Sequence, residues 1–131
     1  MKKPLKVRDY MVADVLTVTP GTEITRVVDI LIENDISGLV VVDEIGATVG
    51  IVTERDCIAT VMHSGYFDEL GGPVSEFMSA PVQTAAPDDS LVDIAVRFVN
   101  SAFRRFPVHE DGRLVGIIAR RDVLRALVRF R

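Results

Sequence analysis

The chain has 131 residues, 48% of them hydrophobic, which is enough for one module with a buried core. Its net charge of -4 argues against nucleic acid as a partner, because nucleic-acid binding relies on clustered Lys and Arg that neutralise phosphates. No apolar stretch approaches the ~20 residues of a membrane-spanning helix and the start lacks the apolar core of a signal peptide, so we expect a cytoplasmic protein without membrane contact.

The sequence of the first half predicts five elements in the order β-α-β-β-α. An extended segment, DVLTVTP, ends at Pro20, and Thr22 is the expected N-cap of the helix that follows. That helix is predicted from an amphipathic stripe with the spacing i, i+3, i+4, i+7: Ile24, Val27, Val28 and Leu31. Two apolar runs, LVVV at 39–42 and TVGIV at 48–52, flank a turn with Gly46 and predict a β-hairpin. A second helix, expected to begin near Glu54, carries Ile58, Val61 and Met62.

The second half repeats this order, with Asp89 as the expected N-cap in place of Thr22. An offset of 67 residues aligns identical residues in the two halves: Val7 with Val74, Met11 with Met78, Thr17 with Thr84, and Pro20 with Pro87. The helical stripe recurs as Leu91, Ile94, Ala95 and Phe98. Two runs, FPVH at 106–109 and LVGII at 114–118, flank Asp111-Gly112. After one deletion in this turn the offset is 66, and a last helix is expected near Arg120 with Val123, Leu124 and Leu127.

This order defines the predicted fold, which is α/β (α+β) with two tandem β-α-β-β-α repeats. The first repeat is expected at residues 7–62, a linker at 63–73 and the second repeat at 74–128. An apolar sheet face must be covered, and the other repeat is the expected cover. We therefore expect a pseudo-twofold axis, sheets packed together, helices outward and clefts where the repeats meet. Further apolar residues on the helices predict a homodimer that buries them: Ile30, Ile32, Val96 and Val99.

These motifs resemble a tandem pair of CBS domains, also called a Bateman module. The resemblance lies in the doubled unit, the DVLTVTP segment, the hairpin RFPVHEDGRLVGII and the helix start GIVTERD, and it covers the chain from about Val7 to about Leu127. It implies a stand-alone, non-catalytic regulatory module that binds AMP, ADP, ATP or S-adenosylmethionine in the clefts between repeats and acts on an unknown regulated protein. The alternative is a ligand-free scaffold that dimerises and docks a partner protein.

The resemblance places ribose and phosphate at the start of the second helix of each repeat. A carboxylate there can accept from both ribose hydroxyls, and a hydroxyl and the free N–H groups of a helix start favour phosphate oxygens. Carried over, Asp56 and Asp122 would hold ribose, and Thr53 would hold phosphate or ribose. Ala119 replaces the hydroxyl in the second repeat, so that site is expected to be weaker, tuned to another ligand or empty. The same Thr53 and Asp56 also fit an imperfect capping box.

Arginines are the second candidate group. Arg104 and Arg105 precede the strand of the second repeat, while Arg120 and Arg121 begin the next helix, and four guanidinium groups could surround a phosphate. The alternative is solvated surface arginines paired with Asp or Glu. By resemblance, an apolar slot for adenine would be formed by residues that otherwise serve as core: Thr17, Val18, Thr84, Ala85, Ile36, Phe103, Pro107, Val52 and Ile118.

Other chemistry has little support in the sequence. His63 and His109 lack a metal-ligand spacing, so no metal site and no catalytic cofactor are expected. Cys57, the one cysteine, excludes an intramolecular disulfide and is expected to be a buried apolar residue. No nucleophile with a positioned base is recognisable, so we do not expect an enzyme. The C-terminal LRALVRFR puts Arg125, Arg129 and Arg131 at a helix end, which suits the helix dipole or an acidic partner.

Overall fold

Within the residues that the structure describes, 5–64, 71–80 and 82–129, two small sheets and four α-helices follow the predicted order. The structure is a computed structural model, and the side chains of Val61, His63 and Ser64 are outside its description. Residues 65–70, most of the predicted linker, also lie outside the described residues. The chain forms two units, a first-repeat unit of Leu16–Val82 and a second-repeat unit of Met1–Val15 with Gln83–Arg131.

The first-repeat unit contains a three-stranded sheet and two helices. Its elements are β1 (Thr17–Val18), α1 (Ile24–Glu33), β2 (Gly38–Val42), β3 (Thr48–Thr53) and α2 (Glu54–Ser64). The central strand β2 pairs with β1 in parallel and with β3 antiparallel. This register sets Gly38, at the start of β2, opposite Thr53, at the end of β3.

The second-repeat unit contains the equivalent elements around a two-stranded sheet. They are α3 (Leu91–Val99), β4 (Arg105–Glu110), β5 (Arg113–Ala119) and α4 (Arg120–Arg129). The predicted first strand is reduced to one parallel bridge between Ala85 and Val108. That bridge occupies the place of the pair Val18–Val41 in the first-repeat unit.

The core of each unit contains the predicted helical stripe and the hairpin strands. The buried stripe residues are Ile24, Val27 and Leu31 in α1, and Leu91, Ile94 and Phe98 in α3. The predicted turn residues Gly46, Asp111 and Gly112 have positive φ angles of 86°, 53° and 78°. Glycine adopts such angles without steric cost, so the turn chemistry and the hairpins are as predicted.

The predicted N-caps are wrong. The helices begin after Glu23 and Ser90, and neither side chain makes a capping hydrogen bond. Thr22 Oγ1 instead accepts from the N–H of Thr19 at 3.2 Å, and Asp89 Oδ2 accepts from the N–H of Ala86 at 2.8 Å. Short polar side chains readily close a local turn of this kind. Thr22 and Asp89 therefore close the turn that precedes each helix.

The first segment of each sequence repeat packs on the other repeat. Val7 is fully buried in the second-repeat unit, where Val12 exchanges two backbone hydrogen bonds of 2.9 Å with Ile117. In the first-repeat unit Val74 is fully buried, and Ser79 and Ile51 are joined by backbone hydrogen bonds of 2.8 and 3.1 Å. The first segment of each sequence repeat thus belongs to the unit that contains the rest of the other repeat.

The apolar residues of the second helices are divided between core and surface. Cys57 in α2 and Val123 in α4 are buried, whereas four residues that the sequence pattern also assigned to these helices are exposed: Ile58, Met62, Leu124 and Leu127. None of the described helices is both long and apolar enough to cross a membrane.

Candidate functional site

In the first-repeat unit the strands bring several predicted ligand residues to one edge of the sheet. Strand β3 ends at Thr53 beside the start of β2, and the N–H of Glu54 donates to the carbonyl of Ser37 at 2.9 Å. The N–H of Ile36 donates to Leu31, which ties this corner to the end of α1. Thr17 is exposed and begins the parallel strand beside β2, so the three strands meet at this edge.

Thr53 and Asp56 form a capping box at the start of α2. The N–H of Thr53 donates to Asp56 Oδ2 at 2.9 Å, and the Thr53 hydroxyl donates to the same oxygen at 3.0 Å. In return, Thr53 Oγ1 accepts from the N–H of Asp56 at 3.2 Å. The capping box that the sequence offered as an alternative to a ligand site is therefore present, and it fixes the Asp56 carboxylate beside the sheet edge.

The capping box occupies only one oxygen of the carboxylate. Among the described residues, no donor reaches Oδ1 of Asp56, and the side chain is half-buried. A carboxylate oxygen has two lone-pair sites, so Oδ1 can accept from an incoming pair of hydroxyl groups. The edge thus presents a half-buried acceptor that is already oriented by the capping box.

The equivalent carboxylate in the second-repeat unit has different surroundings. Asp122 is only 3% exposed. Its Oδ2 accepts from the N–H of Ala119 at 2.7 Å, and its Oδ1 accepts from the guanidinium of Arg125. Both oxygens are engaged within the unit, so the two repeats differ by more than the Thr53 and Ala119 substitution.

The four predicted phosphate arginines do not share one environment. Arg105 is half-buried in β4 opposite Ala119, and Arg104 is exposed. Arg120 donates from Nε to the carbonyl of Phe103 at 3.0 Å, so its guanidinium is directed at the backbone after α3. Arg121 instead faces a groove on another part of the unit. Arg120 is therefore exposed and bonded to backbone carbonyls, whereas the alternative stated from the sequence paired it with Asp or Glu.

The groove beside Arg121 is a cavity of about 730 Å³ within the second-repeat unit. The N-terminal segment forms one wall and α4 the other, with lining residues Asp9, Tyr10, Met11, Arg121, Leu124, Arg125, Val128 and Arg129. The basic residues recur along α4 at a spacing of four, which places them on one face of the helix. The groove is therefore mixed basic and apolar.

The predicted adenine-slot residues are partly core and partly accessible. Five are buried, in agreement with the core alternative: Val18, Val52, Ala85, Pro107 and Ile118. Thr17 and Phe103 are exposed, and Ile36 and Thr84 are half-buried, so these four are the ones that a ligand can reach.

Arg97 makes polar contacts beside Thr84 that the sequence pattern did not predict. It donates to the carbonyl of Thr84 at 3.0 Å, and its guanidinium lies 4.1 Å from the ring centroid of Phe106. A cation over an aromatic face is attracted by the ring quadrupole. Arg97 therefore ties the segment around Thr84 to the core of the second-repeat unit.

Of the remaining titratable candidates, Cys57 is buried and His109 is half-buried. Burial, followed by the nearby charge of Asp56, raises the pKa of the Cys57 thiol. Burial lowers the pKa of His109. Among the described side chains of residues 5–64, 71–80 and 82–129, which do not include that of His63, no group of three or more His, Cys, Asp or Glu could hold a metal ion.

Comparison with known proteins decides the family. The sequence pattern of the CBS domain matches residues 7–63 and 74–129. The chain belongs to the CBS-domain family. The uncharacterised protein MJ1225 of Methanocaldococcus jannaschii is 29% identical over 121 residues, which make up 92% of this chain. This chain spans only 42% of that relative's length.

Two solved CBS structures share the fold. CBSX2 of Arabidopsis thaliana, in complex with AMP, superposes with a TM-score of 0.83 at 28% identity, covering 95% of this chain and 97% of that one. The CBS domain pair of protein MJ0100, in complex with methylthioadenosine and S-adenosylmethionine, gives a TM-score of 0.82 at 28% identity, covering 98% and 100%. The ligands of both neighbours contain adenosine.

Proposed function

We propose that this chain is a non-catalytic regulatory module that binds an adenosine-containing ligand at the sheet edge of the first-repeat unit. The candidate ligands are AMP, ADP, ATP and S-adenosylmethionine. The observation that carries the proposal is the half-buried carboxylate of Asp56, held by Thr53 through one oxygen and open at the other. The adenosine ligands of two structural neighbours support the choice of ligand class.

Ribose recognition falls to Asp56. The two vicinal hydroxyls of a ribose can both donate to Oδ1, and hydrogen bonds to a charged acceptor are stronger than those between neutral groups. Because the capping box already fixes the carboxylate, little side-chain freedom is lost when the ligand binds. The capping box therefore serves the site by orienting its acceptor.

Phosphate or another polar tail would lie at the start of α2. The dipole and N–H groups of a helix N-terminus favour negative charge there. The Thr53 hydroxyl donates to Asp56 in this structure, so it would have to turn away from the carboxylate to reach a phosphate oxygen. We therefore assign Thr53 first to orienting Asp56 and second to the phosphate.

The base would pack on the accessible part of the edge. Thr17 and Ile36 flank the strands there and retain exposed surface, and Thr84 and Phe103 occupy the corresponding places in the second-repeat unit. Backbone groups at strand ends can form hydrogen bonds with the polar atoms of adenine, as is usual for small ligand sites. Arg104, Arg105 and Arg121 remain candidates for binding phosphate at the second-repeat copy of the site.

Thermal denaturation with AMP, ADP, ATP, S-adenosylmethionine and NAD tests this function directly. A ligand at about 100 times its dissociation constant stabilises the folded protein by about 2.7 kcal/mol. We expect at least one adenosine ligand to raise the unfolding temperature, and Asp56→Ala to reduce that rise. A flat response to all five would contradict the proposal.

A ligand-free scaffold is the second candidate, and one feature of α3 favours it. This helix buries Leu91, Ile94 and Phe98 but carries a second apolar stripe, Val92, Val96 and Val99, that is exposed in the single chain. Exposed apolar stripes of this kind are typical of assembly surfaces. Homodimer formation with no response to the ligand panel would favour the scaffold.

A further inference from the structure

The residue three positions after the ribose-binding aspartate differs between the repeats. Arg125 follows Asp122, whereas Ala59 follows Asp56. We propose that Arg125 is a specificity-determining residue that closes the second-repeat copy of the adenosyl site, and that Ala59 leaves the first-repeat copy open. This inference rests on the proposed function and states which of the two copies works.

In the second-repeat unit, Arg125 occupies the oxygen that ribose would need. Asp122 Oδ2 accepts from Ala119 N–H, and Oδ1 accepts from Arg125 one turn further along α4. The carboxylate side chain is 5% exposed. A buried charge of this kind requires a partner, and Arg125 supplies it. An adenosine ligand can reach the carboxylate only by displacing the guanidinium.

In the first-repeat unit, the same carboxylate lacks this competitor. Asp56 Oδ2 is held by the N–H of Thr53, just as Asp122 Oδ2 is held by the N–H of Ala119. Ala59 is exposed on α2 at the position of Arg125, and its methyl group cannot donate a hydrogen bond. The difference at Oδ1 therefore follows from one side chain.

The closure by Arg125 is competitive and reversible. The Arg125 side chain is 57% exposed, so water and salt screen the ion pair and the guanidinium can leave. The apparent affinity of a site falls in proportion to the fraction of molecules in the competent state. If the pair is formed about nine-tenths of the time, the second copy binds about tenfold more weakly than it would without Arg125.

The test exchanges the two residues and counts bound ligand by titration calorimetry with AMP and, separately, with S-adenosylmethionine. Ala59→Arg places a guanidinium one turn after Asp56, and we expect it to weaken the first copy about tenfold or more.

For the second copy, A119T/R125A is compared with A119T, so that the missing hydroxyl is supplied in both proteins. We expect wild type to bind one ligand tightly and any second ligand at least tenfold more weakly, and A119T/R125A to bind two ligands tightly. Arg113→Ala, an exposed arginine on β5, controls for the change of net charge and is expected to match wild type.

Each outcome decides the inference. A folded Ala59→Arg protein with wild-type affinity overturns it, and so does an A119T/R125A protein that binds no more ligand than A119T. Wild type that binds two equal ligands per chain overturns the inference but leaves the proposed function standing. Wild type that binds neither AMP nor S-adenosylmethionine is titrated with ADP and ATP in the same way, and binding of none of the four removes both the inference and the proposed function. If circular dichroism shows that A119T/R125A is unfolded, the Ala59→Arg result decides alone.

Discussion

The sulfur of Met11 lies 2.7 Å from the point that a Cβ atom on Gly116 would occupy, and the backbone oxygen of Val12 lies 2.9 Å from it. Real Cβ contacts are almost never this short, so the N-terminal segment and β5 approach as closely as they do because residue 116 has no side chain. In the first-repeat unit Met78 lies against Gly50 in the same way. The shared glycine of GIVTERD and GIIARRD thus admits a methionine from a distant segment.

Gly116→Ala should therefore lower the free energy of unfolding by about 1 to 3 kcal/mol, the usual range for overpacking. The methionine side chain can move aside, but the backbone oxygen of Val12 is held by Ile117 and cannot. Urea unfolding measures the change. Gly21→Ala is the matched control, since nothing lies within 4 Å of its added methyl group. Equal losses in both variants would contradict the close approach.

Of the two variants Asp56→Ala and Asp122→Ala, one should lose more stability and the other should lose more affinity for the ligand. Asp122→Ala should be the more destabilising, by about 1 to 3 kcal/mol, because it leaves the N–H of Ala119 without its buried acceptor. Asp56→Ala should cost about 1 kcal/mol through its half-buried capping box.

Affinity for AMP or S-adenosylmethionine should follow the reverse order. Losing Asp56 removes the acceptor of two ribose hydroxyls, worth about 1 to 3 kcal/mol, whereas losing Asp122 should change affinity little. Urea unfolding and titration calorimetry on the same three proteins measure both quantities. Asp122→Ala binding more weakly than Asp56→Ala would show that the two sites have been assigned the wrong way round.

Local patterns predicted most of the fold. The stripe beginning at Ile24 and its copy beginning at Leu91 each have a helical period, and a single buried face requires that period. The hairpins follow from turn residues such as Gly46 and Gly112, whose positive φ angles few other residues tolerate. Because these features depend only on residues that are close together in the sequence, the sequence alone predicts them.

Contacts between segments that are distant in the sequence were not predictable in the same way. Periodicity does not say on which sheet a segment packs, so the burial of Val7 in the second-repeat unit and of Val74 in the first was not foreseen. The sequence predicts Thr22 as a helix cap, whereas it closes a turn, because caps and turns use the same short polar side chains.

The role of Arg125 was missed because a cation near a helix end has an ordinary explanation in the dipole. A signal was nevertheless present in the sequence. Comparing the residues three positions after Asp56 and Asp122 shows Ala59 in one repeat and Arg125 in the other. A difference between aligned repeats, next to a residue that they share, can therefore indicate that the two copies have different roles.

His109 should make the protein less stable in mild acid. Burial lowers its pKa from the usual 6.5, so the unfolded chain binds a proton at a higher pH than the folded protein does. Between the two pKa values the unfolded state holds more protons, and stability therefore falls as the pH drops below about 6.5. Urea midpoints from about pH 7.5 to 5.5 should fall less in His109→Gln than in wild type. Parallel curves for the two proteins would rule out this role for His109.

The exposed apolar residues of the helices predict a homodimer at micromolar concentration. Val99 is 84% exposed and Ile32 is 73% exposed in the single chain. Val99→Glu should shift sedimentation toward monomer, since it places a charge on the apolar stripe of α3. Ile45→Glu is the matched control, because Ile45 is 67% exposed in the turn between β2 and β3. A wild-type protein that sediments as a monomer at every concentration would exclude this assembly.

A crystal structure of the protein grown with AMP or S-adenosylmethionine tests the central claim most directly. We predict density for an adenosine group at the sheet edge of the first-repeat unit, with both ribose hydroxyls within hydrogen-bond distance of the Asp56 carboxylate and with Asp122 still paired to Arg125. Density found only beside Ala119 and Asp122, with the edge at Thr53 empty, would contradict the account.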